Sequence, residues 1–147
     1  MEIIGFASDH AGFGLKTHIK SCMEAKGYPC RDFGTDSPAS CDYPDYAHPL
    51  AKAIEAGEVD CGIALCGSGN GVSMTLNKYP DVRAAVCWNE EIARLARAHN
   101  DANALVLPAR FMDADTADAV VDMFLRTPFE GGRHQLRIDK IPIRSDR

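Results

Sequence analysis

Five short apolar runs, each set off from the next by a stretch of helical periodicity, restrict this 147-residue chain to an α/β architecture. Residues 2–7 (EIIGFA), 28–33, 61–66 (CGIALC), 83–86 and 104–107 (ALVL) read as strands. The first, third and fifth are apolar almost throughout, as strands buried on both faces are. In the first interval Leu15, Ile19, Cys22 and Met23 share one helical face, and Lys26-Gly27 closes that helix. A second helix starts at Tyr43-Pro44-Asp45, runs through Leu50, Ala53 and Ile54, and stops at Gly57; a short one covers residues 72–76. Asn89 caps a helix through Ile92, Leu95 and Ala96 to His99. Residues 113–125 form a further amphipathic helix and 133–138 a last one. Strands alternating with helices predict βαβ units, right-handed crossovers and a parallel sheet. No composition break or repeat divides the chain, so residues 1–147 read as a single domain, with 138–147 a tail that carries no site motif.

The net charge is −5. Nucleic acid and anionic membrane both require a basic surface, so neither is expected as a partner, although a local basic cluster could bind a small anion. No run of 18 apolar residues is present to span a bilayer. Met1-Glu2-Ile3-Ile4-Gly5 leads into the first strand without a basic segment, so no secretory signal is expected. The six cysteines (Cys22, Cys30, Cys41, Cys61, Cys66 and Cys87) form no C-x-x-C pair. A zinc site or a thioredoxin-type motif is therefore not expected; reduced thiols in a cytoplasm, most of them filling core space, are.

Ligands of such sheets bind beyond the carboxyl ends of the strands. Three polar clusters fall there: Asp9-His10, the turn after Cys66, and the residues near Arg110. The turn Cys66-Gly67-Ser68-Gly69-Asn70-Gly71 is the strongest local signal. Its glycines allow successive backbone N–H groups to point inward as an anion-binding nest, with a helix N-terminus behind them. The same field favours a thiolate at Cys66, with the thiol on the exposed rim. A plain strand-to-helix turn with a structural cysteine is the alternative. A C-x5-R phosphatase loop needs arginine where Val72 stands, and a G-x-G-x-x-G dinucleotide turn belongs after the first strand. A thiolate beside preformed N–H donors suits removal of a proton α to a carbonyl, with the amides holding the enediolate oxygen.

His99 ends a helix, where the dipole favours imidazolium and hence an acid, or else a simple cap. Arg133 and Arg137 stand four apart on the last helix, able to grip one phosphate or to form a solvated face. His18, His48 and Trp88 read as surface, loop and packing residues respectively.

Ser8-Asp9-His10-Ala11-Gly12, Asp42-Tyr43-Pro44, Cys66–Gly71, Arg97-Ala98-His99-Asn100-Asp101-Ala102-Asn103 and Glu130-Gly131-Gly132-Arg133-His134-Gln135 together resemble the type B ribose-5-phosphate isomerases, grouped with the galactose-6-phosphate isomerase subunits. The resemblance implies a three-layer α/β/α sandwich, Rossmann-like or flavodoxin-like, with a five-stranded parallel sheet. It also implies a metal-free and cofactor-free aldose–ketose isomerase acting on a sugar phosphate. By the same resemblance Cys66 is the base and His99 the ring-opening acid/base. Gly67, Ser68, Gly69, Asn70 and Gly71 hold the enediolate, and Asp9, His10, Tyr43 and Asn100 contact the sugar. Arg110, Arg133 and Arg137 bind phosphate. It further implies a homo-oligomer, dimer or tetramer, with the site between subunits. A six-carbon substrate (allose or galactose 6-phosphate) and a non-catalytic sugar-phosphate-binding module remain open as alternatives.

Overall fold

In the computed structural model, residues 2–143 are described. Five strands, β1 (Ile4–Ser8), β2 (Cys30–Asp32), β3 (Cys61–Cys66), β4 (Ala84–Val86) and β5 (Ala104–Pro108), form one sheet in the order β2-β1-β3-β5-β4. Every neighbouring pair is parallel. The last two strands are exchanged relative to the flavodoxin order 2-1-3-4-5. Burial accounts for the exchange: β1, β3 and β5 are buried at every residue and occupy the centre. The three-residue strands β2 and β4 are part-exposed and take the edges, where short strands limit unwanted pairing.

The described residues form six helices, α1 (Phe13–Ala25), α2 (Pro44–Glu55), α3 (Asn70–Leu76), α4 (Glu90–Ala98), α5 (Ala114–Arg126) and α6 (Arg133–Ile138), of which α1–α5 cover the two faces. On one face Ile19, Met23, Ala93, Val120 and Phe124 of α1, α4 and α5 pack against Phe6, Ile63, Leu65, Leu105 and Leu107. On the other, Leu50, Ile54, Val72 and Leu76 of α2 and α3 pack against Ala7, Ala64, Ala104 and Val106. The period-2 alternation of Ile63, Ala64 and Leu65 sends large residues to one core and small ones to the other. The result is the expected three-layer sandwich. Asn89 does cap α4, its side chain accepting from the Ile92 N–H at 2.9 Å.

Several expectations shift. β1 starts at Ile4 and runs on to Ser8, and α3 starts at Asn70 rather than at residue 72. An unforeseen 3-10 turn, Ala109–Phe111, follows β5. His48 lies in α2 rather than a loop, because Pro49 in the second turn does not interrupt that helix; its Nδ1 meets the Tyr79 hydroxyl at 2.7 Å. Trp88 packs poorly, 57% exposed in the turn between edge strand β4 and α4. Cys61, Cys66 and Cys87 are buried in the core and Cys22 and Cys30 pack part-buried against it, which leaves Cys41 as the thiol that core filling does not explain. Among the described residues no helix is long and apolar enough to cross a membrane. Residues 144–147 of the tail lie outside the described residues.

Candidate active site

The chain leaves β1 towards β2 on one side and β3 towards β4 on the other, which makes the carboxyl ends of β1 and β3 a topological switch point. Asp9 follows β1 directly and is 7% exposed. Its backbone N–H donates to the Leu65 carbonyl at 3.3 Å, and its Oδ1 accepts from the Gly12 N–H at 3.1 Å. Gly12 is required by this close approach, since a Cβ there would lie 2.7 Å from the Leu65 Cβ and 3.0 Å from its backbone. His10 accepts the Cys41 N–H at Nδ1, 3.2 Å away. A neutral His10 therefore carries its proton on Nε2.

Cys66 is the last residue of β3 and pairs with Pro108 of β5. It is 5% exposed, so the thiol does not sit on an open rim. Its position on the alternation places it in the small-residue core with Ala7, Ala64 and Val106, under the following turn. Gly69 caps α3 with φ 82°, a left-handed conformation that glycine adopts freely. Ser68 Oγ accepts from the Asn70 N–H at 3.2 Å. The Tyr43 ring covers Gly71, where a Cβ would come 2.4 Å from the ring. The Arg110 N–H donates to the Gly67 carbonyl at 3.0 Å, and its guanidinium lies across Gly67, 3.3 Å from where a Cβ would stand. Asp9, His10, Tyr43, Cys66, Gly67–Gly71 and Arg110 thus converge at one end of the sheet.

His99, Asn100, Arg133 and Arg137 do not join them within one chain. Helix α4 links two parallel strands, so it runs back and ends near their amino ends. His99 caps that end, and the same segment continues to Asn103, which pairs with Gly62 at the start of β3 and with Arg83 before β4. The six residues of β3 separate the two groups by roughly 16 Å. The His99 ring stacks on His134, with centroids 4.2 Å apart and planes 13° apart. Glu130 Oε1 stands 3.7 Å from His99 Nε2 and 3.6 Å from His134 Nε2. The donor atoms of His99, Glu130 and His134 lie within 4.8 Å of one another, a spacing suited to sharing a proton or a cation. Burial, then the neighbouring His99 and Arg133, hold the His134 imidazole below its usual pKa. Arg133 and Arg137 flank His134 on α6 and are exposed. The three arginines therefore form no single grip in one chain.

Three residues near the site received no role in the sequence reading. Lys16 is 1% exposed, and its Nζ donates to Asp32 Oδ1 at 2.7 Å and to the Thr35 carbonyl at 2.5 Å. It fixes the loop whose Gly34 and Thr35 bond Ser8, just before Asp9. A lysine on the helical face of Ile19 and Met23 was the available signal. Glu130 and His134 stand four apart, but nothing local ties them to His99; the fold does. Cys61, at the opposite end of β3 from Cys66, and Cys87 are no rivals for reactivity: burial, aided at Cys61 by Glu2, pushes both thiols up to about 12.

A model of the ribose/galactose isomerase family matches residues 4–141. The chain belongs to that family. It is 43% identical over 141 residues to ribose-5-phosphate isomerase B of Escherichia coli strain K12, spanning 96% of this chain and 95% of that protein. The chain superposes on a crystal structure of a Thermotoga maritima ribose 5-phosphate isomerase with a TM-score of 0.95 and 50% identity, over 96% and 97% of the two chains. It also matches the Mycoplasma genitalium ribose-5-phosphate isomerase B, solved with bound ribulose-5-phosphate, at a TM-score of 0.89 and 44% identity over 95% and 93%.

Proposed function

We propose that this chain is an aldose–ketose isomerase that interconverts ribose 5-phosphate and ribulose 5-phosphate through an enediolate. The observation that carries the proposal is Cys66 closing a central strand against a glycine turn, with the Arg110 guanidinium laid across Gly67. A base, backbone donors and a phosphate-binding cation are thereby within reach of one small sugar phosphate. The ribulose-5-phosphate bound to the Mycoplasma genitalium relative supports the choice of substrate. The working enzyme is a homo-oligomer, because the His99 end of a second copy must come to the Cys66 end of the first. The opposite placement of the two groups supports that reading.

In this scheme Arg110 of one copy and Arg133 and Arg137 of the other take the phosphate. His99 protonates the ring oxygen as the C1 hydroxyl gives its proton to solvent, opening the furanose to the aldehyde, while Asp9, His10, Tyr43 and Asn100 hold hydroxyls. The Cys66 thiolate removes the C2 proton, the amides of Gly67–Gly71 receive the oxyanion developing at O1, the O2 proton passes to O1 as C2 becomes the carbonyl, and the proton held by Cys66 returns to C1. The reaction relocates hydrogen within the substrate, so proton transfer suffices and no external redox partner enters. Residues 1–147 act as one domain, placed by this activity in cytoplasmic pentose phosphate interconversion.

The test is to run ribulose 5-phosphate to ribose 5-phosphate in deuterium oxide. Deuterium at C2 of the aldose is expected; a chain that binds the sugar without exchange would be a binding module instead. A panel of ribose, allose and galactose phosphates then sets the chain length, and turnover confined to a six-carbon sugar would overturn the ribose assignment.

A further inference from the structure

Among residues that the proposed site does not use, α1 and α5 bring together His18, Cys22 and Asp118 on the outer surface of one helical layer. His18 and Cys22 are one turn apart on α1, whereas Asp118 is 100 residues from His18 in the chain. His18 Nε2 lies 3.0 and 2.9 Å from the two Asp118 carboxylate oxygens and 3.8 Å from Cys22 Sγ. All the donor atoms fall within 4.8 Å of one another. A nucleophile–base–carboxylate relay needs thiol and carboxylate on different ring nitrogens. Here both face the same nitrogen. An ion pair accounts for His18 and Asp118, but between side chains 40% and 39% exposed it contributes little; Cys22 packs against the core and still keeps its sulfur beside the imidazole.

One nitrogen, one oxygen and one sulfur converging on a point is the pattern of a metal site. We propose that His18, Cys22 and Asp118 bind a divalent transition metal of borderline softness, Zn2+ in particular, with water as the fourth ligand. Tetrahedral zinc with its usual bonds holds nitrogen, oxygen and sulfur ligands about 3.4–3.6 Å apart. The His18–Asp118 and His18–Cys22 spacings differ from that by about half an ångström or less, and Cys22 and Asp118 stand within 4.8 Å, a range that side-chain rotations absorb. The exposure of His18 and Asp118 leaves an entry path and a place for the water. On binding, the Cys22 thiol proton passes to solvent and the sulfur bonds the metal as thiolate. The ion ties α1 to α5, the elements that carry Ile19 and Val121 into the same core.

The experiment titrates the metal-stripped, full-length chain with Co2+, then with Zn2+. One equivalent of cobalt should give a thiolate-to-cobalt charge-transfer band, which zinc bleaches. The band should vanish in Cys22→Ser and persist in Cys66→Ala. Asp118→Asn should weaken binding by at least the 10–100-fold that loss of an outer-shell partner costs. Zinc at a hundred times its Kd should raise the thermal midpoint of the wild type by roughly 5–10 °C, and that of Cys22→Ser far less. Isomerase turnover of Cys22→Ser should equal that of the wild type. A metal held by His99, Glu130 and His134 has only nitrogen and oxygen ligands and gives no such band. Absence of the band, its survival in Cys22→Ser, or its loss in Cys66→Ala each overturns the site.

Discussion

At the carboxyl end of the sheet the functional groups hang from strand termini. Asp9 and Cys66 are the residue after β1 and the last residue of β3, both nearly buried and tied to the sheet ladder. At the amino end they hang from helix termini: His99 closes α4, while Arg133 and Arg137 ride on the six-residue α6. The first group is held by backbone, the second by side-chain packing, chiefly the His99–His134 stack and the Glu130 carboxylate. Among the described residues each end also keeps one buried polar atom without a hydrogen bond, Ser8 Oγ beside Asp9 and His134 Nε2 beside His99. Such atoms are few in folded proteins. In the proposed scheme, proton abstraction from carbon needs a base held to within a fraction of an ångström, and strand ends supply that rigidity. The ring opening and phosphate capture proposed for the other end tolerate longer, more adaptable side chains, and helix ends supply those.

The sharpest way to break this division is Cys66→Ala. If the rigid end carries the base, turnover of ribose 5-phosphate should fall by roughly 10²–10⁴-fold with little change in sugar-phosphate binding. Retention of more than a few per cent of wild-type turnover would remove the thiol from that role. Gly12→Ala tests the rigidity itself. The new Cβ meets backbone that cannot retreat, so the fold should lose about 1–3 kcal/mol, seen as a drop in the thermal midpoint. A midpoint equal to wild type would show the β1 loop to be softer than its contacts imply.

Subunit mixing asks whether the two ends meet across copies. Cys66→Ala and His99→Asn proteins, each inactive alone on the cyclic sugar, should regain about a quarter of wild-type activity when reassorted at random as two-fold dimers. No recovery despite verified exchange would place both residues of a working site in one chain. His99→Asn should also spare exchange on an open-chain substrate; equal loss on both substrates would take it out of ring opening.

The smallest effect lies in the packed end. His134 has its folded pKa below the ordinary 6.5. As pH falls through 6.5 the unfolded chain therefore takes up the proton first. Stability is complete above that value and declines as pH drops towards the lower folded pKa. His134→Gln should flatten the acid side of a plot of thermal midpoint against pH. An unchanged slope would show that other groups set it.

Much of this was legible in the chain. The almost wholly apolar runs at residues 2–7, 61–66 and 104–107 marked the three central strands, because only a residue type tolerated on both faces survives there. Cys66, the glycine turn and Asp9-His10 were legible because motif chemistry clusters where strand meets helix. Burial of Cys66 was not, since Ala7 of β1 and Val106 and Pro108 of β5, which enclose it, are remote in sequence. Lys16 hid for a related reason: its partners Asp32 and Thr35 lie beyond a whole helix.

The sequence by itself determined the element types, the parallel sheet and the residues fit for acid–base and phosphate chemistry, because periodicity and turn composition are local properties. Tertiary structure alone decided that β5 rather than β4 lies beside β3. It alone set His99 and the paired arginines a strand's length from Cys66, and brought Asp118 to His18 and Cys22. Those outcomes depend on which apolar face each element buries against another, and no stretch of chain contains that information on its own.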